Sequence, residues 1–329
     1  MTFSQLFIGK PSRAWLTAIT LCCMGACGGA WADVFVSSEK DNTILQLDAD
    51  GKVIRVMPVC LRPRHMAWIN MRQQILVACG DNNQLGILDL KSGQLTGDVP
   101  TGESPEMFAL SPDGKTVFVS IEDGSQLAAY DMAERKPLFS VKTGAEPEGV
   151  QVSTDGKVVF ATSEVANTVY AIDIAKRKVI AQVKTGMRPR RFALTPDGST
   201  LWVTNELGGS VSVLDTQTLK VRQTLNFEIT GMRKSDITPV GLTMSSDGKT
   251  AWVTLGRANH VAEVDVASAT VRGLALVGKR PWGLALNADG SRLYVANGMS
   301  DDITIIDTAS RKALRSAPVG RSPHTILVN

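Results

Sequence analysis

The chain has 329 residues, of which 43% are hydrophobic and 20% are charged, and its formal net charge is +3. These values are typical of a soluble globular protein with a large core, and they exclude a fibrous or intrinsically disordered chain. Acidic and basic residues are mixed along the whole chain, so no basic patch or stripe indicates a nucleic-acid partner.

The first 32 residues are predicted to be a secretory signal peptide. Lys10 and Arg13 precede an apolar run at 14–26, and the triplet 30–32 (Ala-Trp-Ala) places small residues at the two positions that a signal peptidase reads. The apolar run is too short for a comfortable membrane span, and no later segment is as long. We therefore expect residues 1–32 to be removed and predict no membrane span in the mature protein.

Export would place the mature chain, 33–329, in the periplasm, which is an oxidising compartment. Three of the five cysteines lie in the predicted signal, which leaves Cys60 and Cys79. These two could form a disulfide, or both could be small buried residues. An uncleaved anchor and lipidation of Cys27 are the alternatives to cleavage.

A proline recurs at a constant spacing through the mature chain. Subtracting neighbouring positions gives steps of 42, 42, 42, 50, 42 and 42 residues. A fixed period of this size indicates one supersecondary unit that is used repeatedly. The prolines are Pro63, Pro105, Pro147, Pro189, Pro239, Pro281 and Pro323.

The unit that begins at Pro105 contains four short apolar runs separated by polar turns. The runs lie at 107–110, 116–120, 127–131 and 138–141. Each connection holds Gly, Asp, Asn, Ser or Pro, as successive antiparallel hairpins do. One unit is therefore predicted to be a four-stranded meander.

A meander of this size cannot bury both of its faces alone, so copies must stack, as propeller blades do around a central channel. The mature chain opens on the second type of run at 33–36, continues with runs at 44–47 and 53–56, and ends on the first type at 325–328. Three strands from the front and one from the back would complete a seventh blade and remove an open edge. We predict a single all-β domain, a seven-bladed β-propeller of four-stranded antiparallel blades, closed by terminal strands that share the last blade.

The strand endings 202–205 (Trp-Val-Thr-Asn) and 294–297 (Tyr-Val-Ala-Asn) resemble the tetrad for which the YVTN family of β-propellers is named. The mature chain as a whole resembles the β-propeller proteins associated with PQQ-dependent catabolism. The resemblance is carried by the run 105–114, the segment 147–150 and the insertion at 227–233. This resemblance implies a setting beside quinoprotein alcohol dehydrogenases, c-type cytochromes and ABC transporters, which are the partners that we expect.

Candidate binding residues come from the connections between strands. Alternate connections of a meander emerge on one face, so the proline junctions share a face with the turns after the second strands. These positions are predicted to line a channel mouth that holds a small polar ligand or docks a charged partner. Exposed loop charges in weak local ion pairs are the alternative. The residues after the prolines are Arg64, Glu106, Glu148, Arg190, Val240, Trp282 and His324, with Arg191 beside Arg190, and the second-strand turns add Glu122, Glu164 and Glu206.

The 50-residue step adds a loop at 227–238 between the fourth and fifth blades. This loop carries Glu228, Arg233, Lys234 and Asp236. Long loops on a rigid scaffold are commonly functional, and a simple spacer is the alternative.

Signatures of catalysis and of cofactors are absent from the sequence. There is no Cys-x-x-Cys-His haem motif and no Gly-x-Ser-x-Gly motif. The three histidines fall in separate blades without a ligand spacing. We therefore predict no catalytic residue, no cofactor and no metal, although the acidic arc of the mouth could hold Ca²⁺. Quinoprotein dehydrogenases carry adjacent cysteines against their cofactor, but the pair Cys22 and Cys23 lies in the predicted signal.

We expect a non-catalytic periplasmic binding or scaffold protein associated with quinoprotein alcohol catabolism. One alternative is a lactonase-like propeller enzyme with a metal in the acidic mouth, whose activity a chelator would abolish. A second is a nucleic-acid-binding YVTN propeller, whose affinity would depend steeply on salt. The second alternative is the least favoured. The predicted signal contains Lys10 and Arg13 but no acidic residue, so its removal lowers the net charge from +3 to +1. A chain with so little net charge has little attraction for a polyanion.

Overall fold

Seven four-stranded antiparallel sheets make up residues 33–329 of the computed structural model, which describes Met1 and residues 33–329. Apart from Met1, the predicted signal 1–32 lies outside the described residues, and so do its cleavage site and Cys22, Cys23 and Cys27. Two short 3₁₀-helices, Gly80–Asn82 and Lys234–Asp236, are the helical segments of the described chain. No helix of this part is long and apolar enough to cross a bilayer.

The strands follow one another along the chain as hairpins. The first fourteen are β1 (Val34–Ser38), β2 (Thr43–Leu47), β3 (Val53–Pro58), β4 (Pro63–Ile69), β5 (Gln74–Cys79), β6 (Gln84–Asp89), β7 (Gln94–Pro100), β8 (Pro105–Leu110), β9 (Thr116–Ile121), β10 (Gln126–Asp131), β11 (Pro137–Lys142), β12 (Pro147–Val152), β13 (Val158–Ser163) and β14 (Thr168–Asp173). The others are β15 (Lys178–Lys184), β16 (Pro189–Leu194), β17 (Thr200–Asn205), β18 (Ser210–Asp215), β19 (Lys220–Asn226), β20 (Pro239–Met244), β21 (Thr250–Leu255), β22 (His260–Asp265), β23 (Thr270–Leu276), β24 (Pro281–Leu286), β25 (Arg292–Asn297), β26 (Asp302–Asp307), β27 (Lys312–Pro318) and β28 (Pro323–Val328).

The seven sheets form a closed ring. Blades 1 to 6 each take four consecutive strands, from β4 to β27, and blade 7 has the strand order β28, β1, β2 and β3. The first strand of each blade lies innermost and contacts its counterparts in the neighbouring blades, from β4 around to β28 and back to β4. The predicted seven-bladed all-β propeller is therefore confirmed.

The two ends of the described chain meet in blade 7. Val34 in β1 pairs with Val328 in β28, and the Asn329 amide donates to the Asp33 carbonyl at 3.0 Å. The ring is thus closed by backbone hydrogen bonds, which leaves no open edge between the first and last blades. This is the closure that the sequence predicts.

The hydrophobic core lies between the blades. In β9 every residue after Thr116 is buried, because neighbouring blades cover both faces of the sheet. One core cluster joins Leu76 and Leu85 of blade 1 to Phe108 and Val119 of blade 2, and similar clusters follow around the ring. The fourth strands lie at the rim and are largely exposed, and in β15 covered and exposed residues alternate, as in a strand with one wet face.

The recurring Asp-Gly turns join the first and second strands. In five of them the glycine has φ between +69° and +72°, a conformation that favours glycine. The aspartate side chain accepts backbone amides of the turn, as Asp113 does from Lys115 at 3.1 Å. These aspartates are structural. The five glycines are Gly114, Gly156, Gly198, Gly248 and Gly290.

Candidate functional site

A β-bulge at the start of every first strand shapes one end of the central channel. In blade 2, Pro105 pairs with Ile121. The next pair is Phe108 with Val119, so two residues of the first strand oppose Ser120 alone. The same count occurs in all seven blades. A bulge bends a strand and redirects its side chains. The side chains that follow the prolines meet at this end of the channel, which we call the mouth.

A hydroxyl group opposite the bulge holds the backbone of the mouth in place. The Met107 amide donates to Ser120 Oγ at 3.0 Å, and Ser120 Oγ donates to the Glu148 carbonyl of the next blade at 2.7 Å. Each hydroxyl therefore joins the bulge of its own blade to the residue after the proline in the next one. The same pair of bonds is made by Ser37, Thr162, Thr204 and Thr254.

Most of the predicted acidic residues are buried in the mouth. Glu106, Glu148, Glu164 and Glu206 are at most 6% exposed, and Arg190 is 5% exposed. The alternative of exposed loop charges does not describe these side chains. Removing such groups from water is costly unless each is paired.

Arg190 is the centre of the first half of the mouth. Its guanidinium lies 3.3 Å from Glu148, 2.5 Å from Glu164 and 3.7 Å from Glu206. These carboxylates come from the first strand of blade 3 and from the turns after the second strands of blades 3 and 4. One arginine thus draws acidic residues of neighbouring blades together.

The second half of the mouth is organised around His324. Its Nε2 lies 3.4 Å from Arg64 Nη2 and 3.1 Å from Arg191 Nη2. Arg64 forms an ion pair with Glu106, and Arg191 lies 3.3 Å from Glu148. The structure therefore brings eight predicted residues into one connected network, namely Arg64, Glu106, Glu148, Glu164, Arg190, Arg191, Glu206 and His324.

Three arginines of the mouth are missing from the sequence prediction. Each stands directly before a ring proline in the left-handed region, with φ of 52°, 56° and 57° at Arg62, Arg188 and Arg280. The signal for them is the Arg-Pro dipeptide at three of the seven junctions. The contacts are Arg62 to Glu106 (3.1 Å), Arg188 to Glu164 (2.7 Å) and Glu206 (3.2 Å), and Arg280 to Glu206 (2.6 Å).

Trp282 covers one side of the arginine cluster. Its ring centroid lies 5.3 Å from Arg190 Cζ and 5.1 Å from Arg280 Cζ, within the range of a cation–π interaction. The ring also lies 5.9 Å from that of His324. Trp282 therefore joins the two halves of the mouth.

Two glycines make room for these side chains. The turn after the second strand begins with glutamate in blades 2, 3, 4 and 7 (Glu122, Glu164, Glu206 and Glu39) and with glycine in blades 1, 5 and 6 (Gly80, Gly256 and Gly298). A Cβ at Gly80 would collide with the Arg62 guanidinium, and one at Gly298 would collide with Trp282. The mouth is thus asymmetric, with glutamates on one arc and space for Arg62 and Trp282 on another.

Burial and ion pairing move the pKa values of the carboxyl groups in opposite directions. Burial raises the pKa of Glu106 to about 8 against the attraction of Arg64, and the nearby Glu148 carboxylate adds to the rise. Burial likewise raises the pKa of Glu164 to about 7 against Arg190. For Glu148 burial is the largest single effect, but four arginines together outweigh it and lower the pKa to about 2.

Burial lowers the pKa of three basic side chains at this end of the channel, so each of them is a weaker base than usual. Burial, with help from Arg191, lowers the pKa of His65 to about 3. Burial and the charges of Arg64 and Arg191 hold the pKa of His324 well below its usual value. Burial also lowers the pKa of Arg191 to about 10, because the attraction of Glu148 does not compensate for it.

Two predicted mouth residues, Val240 and Glu122, form no ion pair with the arginines of the mouth in the described chain. Val240 is buried and apolar, and its carbonyl accepts from Thr204 at 2.8 Å. Glu122 is half-buried and lies 3.3 Å from Ser104 Oγ, which is also 3.4 Å from Glu106.

The charged residues of the insertion stay apart from the network. Phe227 and Ile237 are buried in the core between blades 4 and 5 and anchor the loop at both ends. None of its predicted charged residues forms an ion pair within 4.0 Å in the described chain. Three of them are exposed and one is half-buried, and they are Glu228, Arg233, Lys234 and Asp236.

Cys60 and Cys79 form a disulfide, which settles the choice that the sequence leaves open. The bond joins the junction before β4 to the end of β5, beside Arg62 and Gly80. In most other blades a glycine of the junction packs against the last residue of the second strand, as Gly186 does against Asn205. The disulfide therefore takes the place of a repeated packing contact.

The residues of the mouth do not fit a resident metal ion. Each of the four buried glutamates contacts at least two guanidinium groups. A divalent cation would have to displace these arginines to reach the carboxylate oxygens that it prefers. Over residues 33–329, no group of three or more His, Cys, Asp or Glu side chains is placed to hold a metal.

Fold and site together define a seven-bladed propeller with a buried arginine–glutamate network at one end of its channel. The family model described as YNCE-like beta-propeller matches residues 34–287, and the chain belongs to that family. No curated protein matches the chain.

Solved structures share the fold at low sequence identity. Hydrazine synthase of Kuenenia stuttgartiensis is 23% identical, with a TM-score of 0.75 over 84% of this chain and 92% of that one. A functionally unknown protein of Desulfotomaculum acetoxidans is 16% identical, with a TM-score of 0.76 over 90% and 98%. The periplasmic gluconolactonase PpgL of Pseudomonas aeruginosa is 22% identical, with a TM-score of 0.78 over 91% and 99%. At these identities the likeness shows the fold alone.

Proposed function

We propose that this chain is a non-catalytic binding protein that uses the mouth of its propeller to hold a charged ligand or partner. The observation that carries the proposal is that every buried glutamate of the mouth already contacts at least two arginines. Carboxylates engaged in this way are poor nucleophiles and poor metal ligands, but they orient the guanidinium donors. The network thus favours recognition over bond-making chemistry.

Stability alone is a weak reason for such a network. Buried ion clusters often contribute less to folding than well-packed apolar residues of similar size. A rigid array of donors that is already oriented lowers the cost of binding, since little order is lost when the ligand arrives. The bulges and the hydroxyl groups of the second strands supply this rigidity.

The setting that we propose is the periplasm, in a system for PQQ-dependent alcohol oxidation. The resemblance of 105–114, 147–150 and 227–233 to propellers of that group supports it, and the Cys60–Cys79 disulfide is in keeping with an oxidising compartment. The partners would be a quinoprotein dehydrogenase, a c-type cytochrome or components of an ABC transporter.

Affinity capture tests this proposal. The tagged protein is recovered from cells growing on an alcohol, beside two variants. Arg188→Gln removes a half-exposed guanidinium of the mouth, and Arg315→Gln removes an exposed one from the outer strand β27. We expect the wild type and Arg315→Gln to recover one of the named partners and Arg188→Gln to recover much less. Failure of the wild type to recover any of them, or equal recovery by Arg188→Gln, would contradict the proposal.

A lactone hydrolase is the second candidate. Burial raises the pKa of Glu106 to about 8 and that of Glu164 to about 7, so these groups can exchange protons near neutral pH, as a general acid or base must. The likeness in fold to a gluconolactonase adds to this candidate. Because the glutamates of the mouth do not fit a metal ion, the activity of such a hydrolase should persist in the presence of a chelator.

Incubation of the purified protein with gluconolactone separates the two candidates. The binding proposal expects no turnover above the spontaneous rate, with or without a chelator. Turnover that Glu106→Gln abolishes would replace the binding proposal with the hydrolase.

A further inference from the structure

A small cavity lies in the channel next to the mouth, and its lining differs from that of the mouth itself. Its volume is about 90 Å³, and Arg191 is the charged residue among those that line it. Met107, Phe192, Leu242 and Leu284 supply an apolar wall. The cavity therefore combines one cationic side chain and one apolar wall with polar surface from Thr325 and the backbone.

Arg191 has less carboxylate contact than Arg190, its neighbour in the bulge of blade 4. Its single carboxylate partner in the described chain is Glu148 at 3.3 Å, and the same Glu148 oxygen lies 3.3 Å from Arg190. Its other polar contact is His324 Nε2 at 3.1 Å, and its Nε is buried without a hydrogen-bond partner among the described residues. Arg190, by contrast, contacts three carboxylates.

His324 cannot supply the missing negative charge. Its Nε2 faces two guanidinium groups, which donate, so the imidazole is neutral with its proton on Nδ1. Nδ1 lies 3.1 Å from Thr325 Oγ1, which can accept that proton. The charge of Arg191 is thus matched only by a carboxylate that it shares with Arg190.

We propose that this cavity binds a short aliphatic carboxylate, with the carboxylate on Arg191 and the alkyl chain against the apolar wall. The inference rests on the proposed function, because it names the ligand class for the same binding mouth. A charge-assisted, two-pronged contact is what a guanidinium offers to a carboxylate. The wall offers the alkyl chain the removal of apolar surface from water.

The volume limits the length of the ligand. The cavity is small, at about 90 Å³, and the carboxylate at the arginine takes up part of it. We therefore expect short acids to fit better than long ones. Phosphate and sulfate match the charge but leave the apolar wall without a partner, and a neutral amide matches the wall but leaves the charge uncompensated.

Calorimetric titration of the purified protein tests the proposal. The probes are acetate, propionate, butyrate, pentanoate and octanoate, with butyramide and inorganic phosphate as controls for charge and for shape. We expect affinity to rise from acetate to butyrate and to fall at octanoate. Equal binding of butyramide or of phosphate, or no binding of any acid, would overturn the proposal.

Two variants and a matched control sharpen the test. Arg191→Gln should bind butyrate about tenfold or more weakly, because a hydrogen bond to a charged group is lost. Arg315→Gln removes an equal charge far from the cavity and should leave binding unchanged. Leu284→Ala enlarges the cavity and should shift the preference towards longer acids. If Arg191→Gln does not fold, the acid series and Leu284→Ala still decide the matter, because an unshifted preference in Leu284→Ala would overturn the proposal.

The titration and the partner capture described above can succeed or fail separately. Recovery of a quinoprotein or cytochrome without any binding of short acids would overturn this inference and leave the proposed function standing. Binding of butyrate that depends on Arg191, without recovery of those partners, would support the inference and contradict the proposed setting.

Discussion

In five of the seven blades, one buried hydroxyl group both accepts and donates a hydrogen bond at the bulge. Thr204 is fully buried and accepts the Arg191 amide at 3.0 Å, while its proton goes to the Val240 carbonyl of the next blade at 2.8 Å. The two bonds hold the bulge that carries the mouth residues. In blades 1 and 6 the corresponding residues are Ala78 and Ala296, which cannot make these bonds.

Replacement of Thr204 with valine should lower the free energy of unfolding by about 1 to 3 kcal/mol, because it leaves a buried amide and a buried carbonyl without this partner. Chemical denaturation measures the change. Thr204→Ser keeps the hydroxyl, as Ser120 does in blade 2, and should recover most of the loss. Equal losses in the valine and serine variants would mean that packing of the methyl group, not the hydroxyl, matters here.

His65 should make the protein less stable in acid. Burial is the main cause that lowers its folded pKa to about 3, whereas the unfolded chain binds this proton near pH 6.5. The unfolded state therefore binds more protons between these values, and the free energy of unfolding falls as the pH falls through that window. Glu106 and Glu164, whose pKa values are raised, change stability in the opposite sense above pH 4.5.

A comparison with His65→Met isolates the histidine, because blade 2 has Met107 at the same position. We expect the melting temperature of the variant to fall less steeply than that of the wild type between pH 6.5 and about 4. The difference between the two proteins at pH 8 measures the change in packing. Parallel curves over the acidic range would show that His65 does not titrate as described.

The junction between blades is the element that most directly connects fold and site. Its residue before the proline is left-handed in six of the seven blades, at Arg62, Ser104, Glu146, Arg188, Arg280 and Ser322. In several junctions the amide of that residue donates to the side chain of the preceding hairpin turn, as Arg188 does to Asn167 at 2.8 Å. In blade 1 the disulfide also joins the junction to β5.

Loss of the disulfide should destabilise the protein without changing its architecture. The variant Cys60→Gly with Cys79→Asn carries the pair that blade 4 has at Gly186 and Asn205. We expect it to fold with a free energy of unfolding about 3 kcal/mol below that of the wild type, since the unfolded chain regains the freedom of the closed loop. Dithiothreitol should lower the melting temperature of the wild type and leave that of the variant unchanged. An equal response of both proteins to the reductant would contradict this account.

At the scale of the whole molecule, closure is made by hydrogen bonds between strands and not by a covalent link. β28 pairs with β1 from Val34 with Val328 to Ser38 with Pro323. The backbones of Asp33 and Asn329 are joined by a 3.0 Å hydrogen bond. We therefore expect the ring to close equally well when the ends of the chain are placed in another blade.

A circular permutant tests this interpretation of closure. A short Gly-Ser linker joins residue 329 to residue 33, and new ends are opened at Gly231, which is exposed in the insertion. We expect a cooperative melt within a few degrees of that of the wild type, because exposed loops with few contacts tolerate new termini. A chain that stops before β28 is the control, and it should lose cooperative melting because blade 7 lacks its inner strand. A permutant that fails to fold would contradict the closure described here.

The number of blades, their four strands and the closure of the ring could all be predicted from the sequence. The proline period and the turn residues carry that information because each blade is a local meander whose hydrogen bonds join strands that follow one another in the chain. It also identified Glu106, Glu148, Arg190 and His324 as neighbours, since their places in the repeat put them at the same end of the channel.

The pairing of these side chains and their burial could not be predicted from the sequence, because both depend on contacts made across the folded ring. Arg64 and His324 meet although 260 positions separate them, and no local pattern encodes which guanidinium meets which carboxylate across a ring. Arg62, Arg188 and Arg280 reach the glutamates of the mouth from a left-handed position before a proline, a contact that propensity does not indicate. The pairing of Cys60 with Cys79 likewise depends on how closely the junction approaches the end of the second strand, a distance that only the folded ring defines.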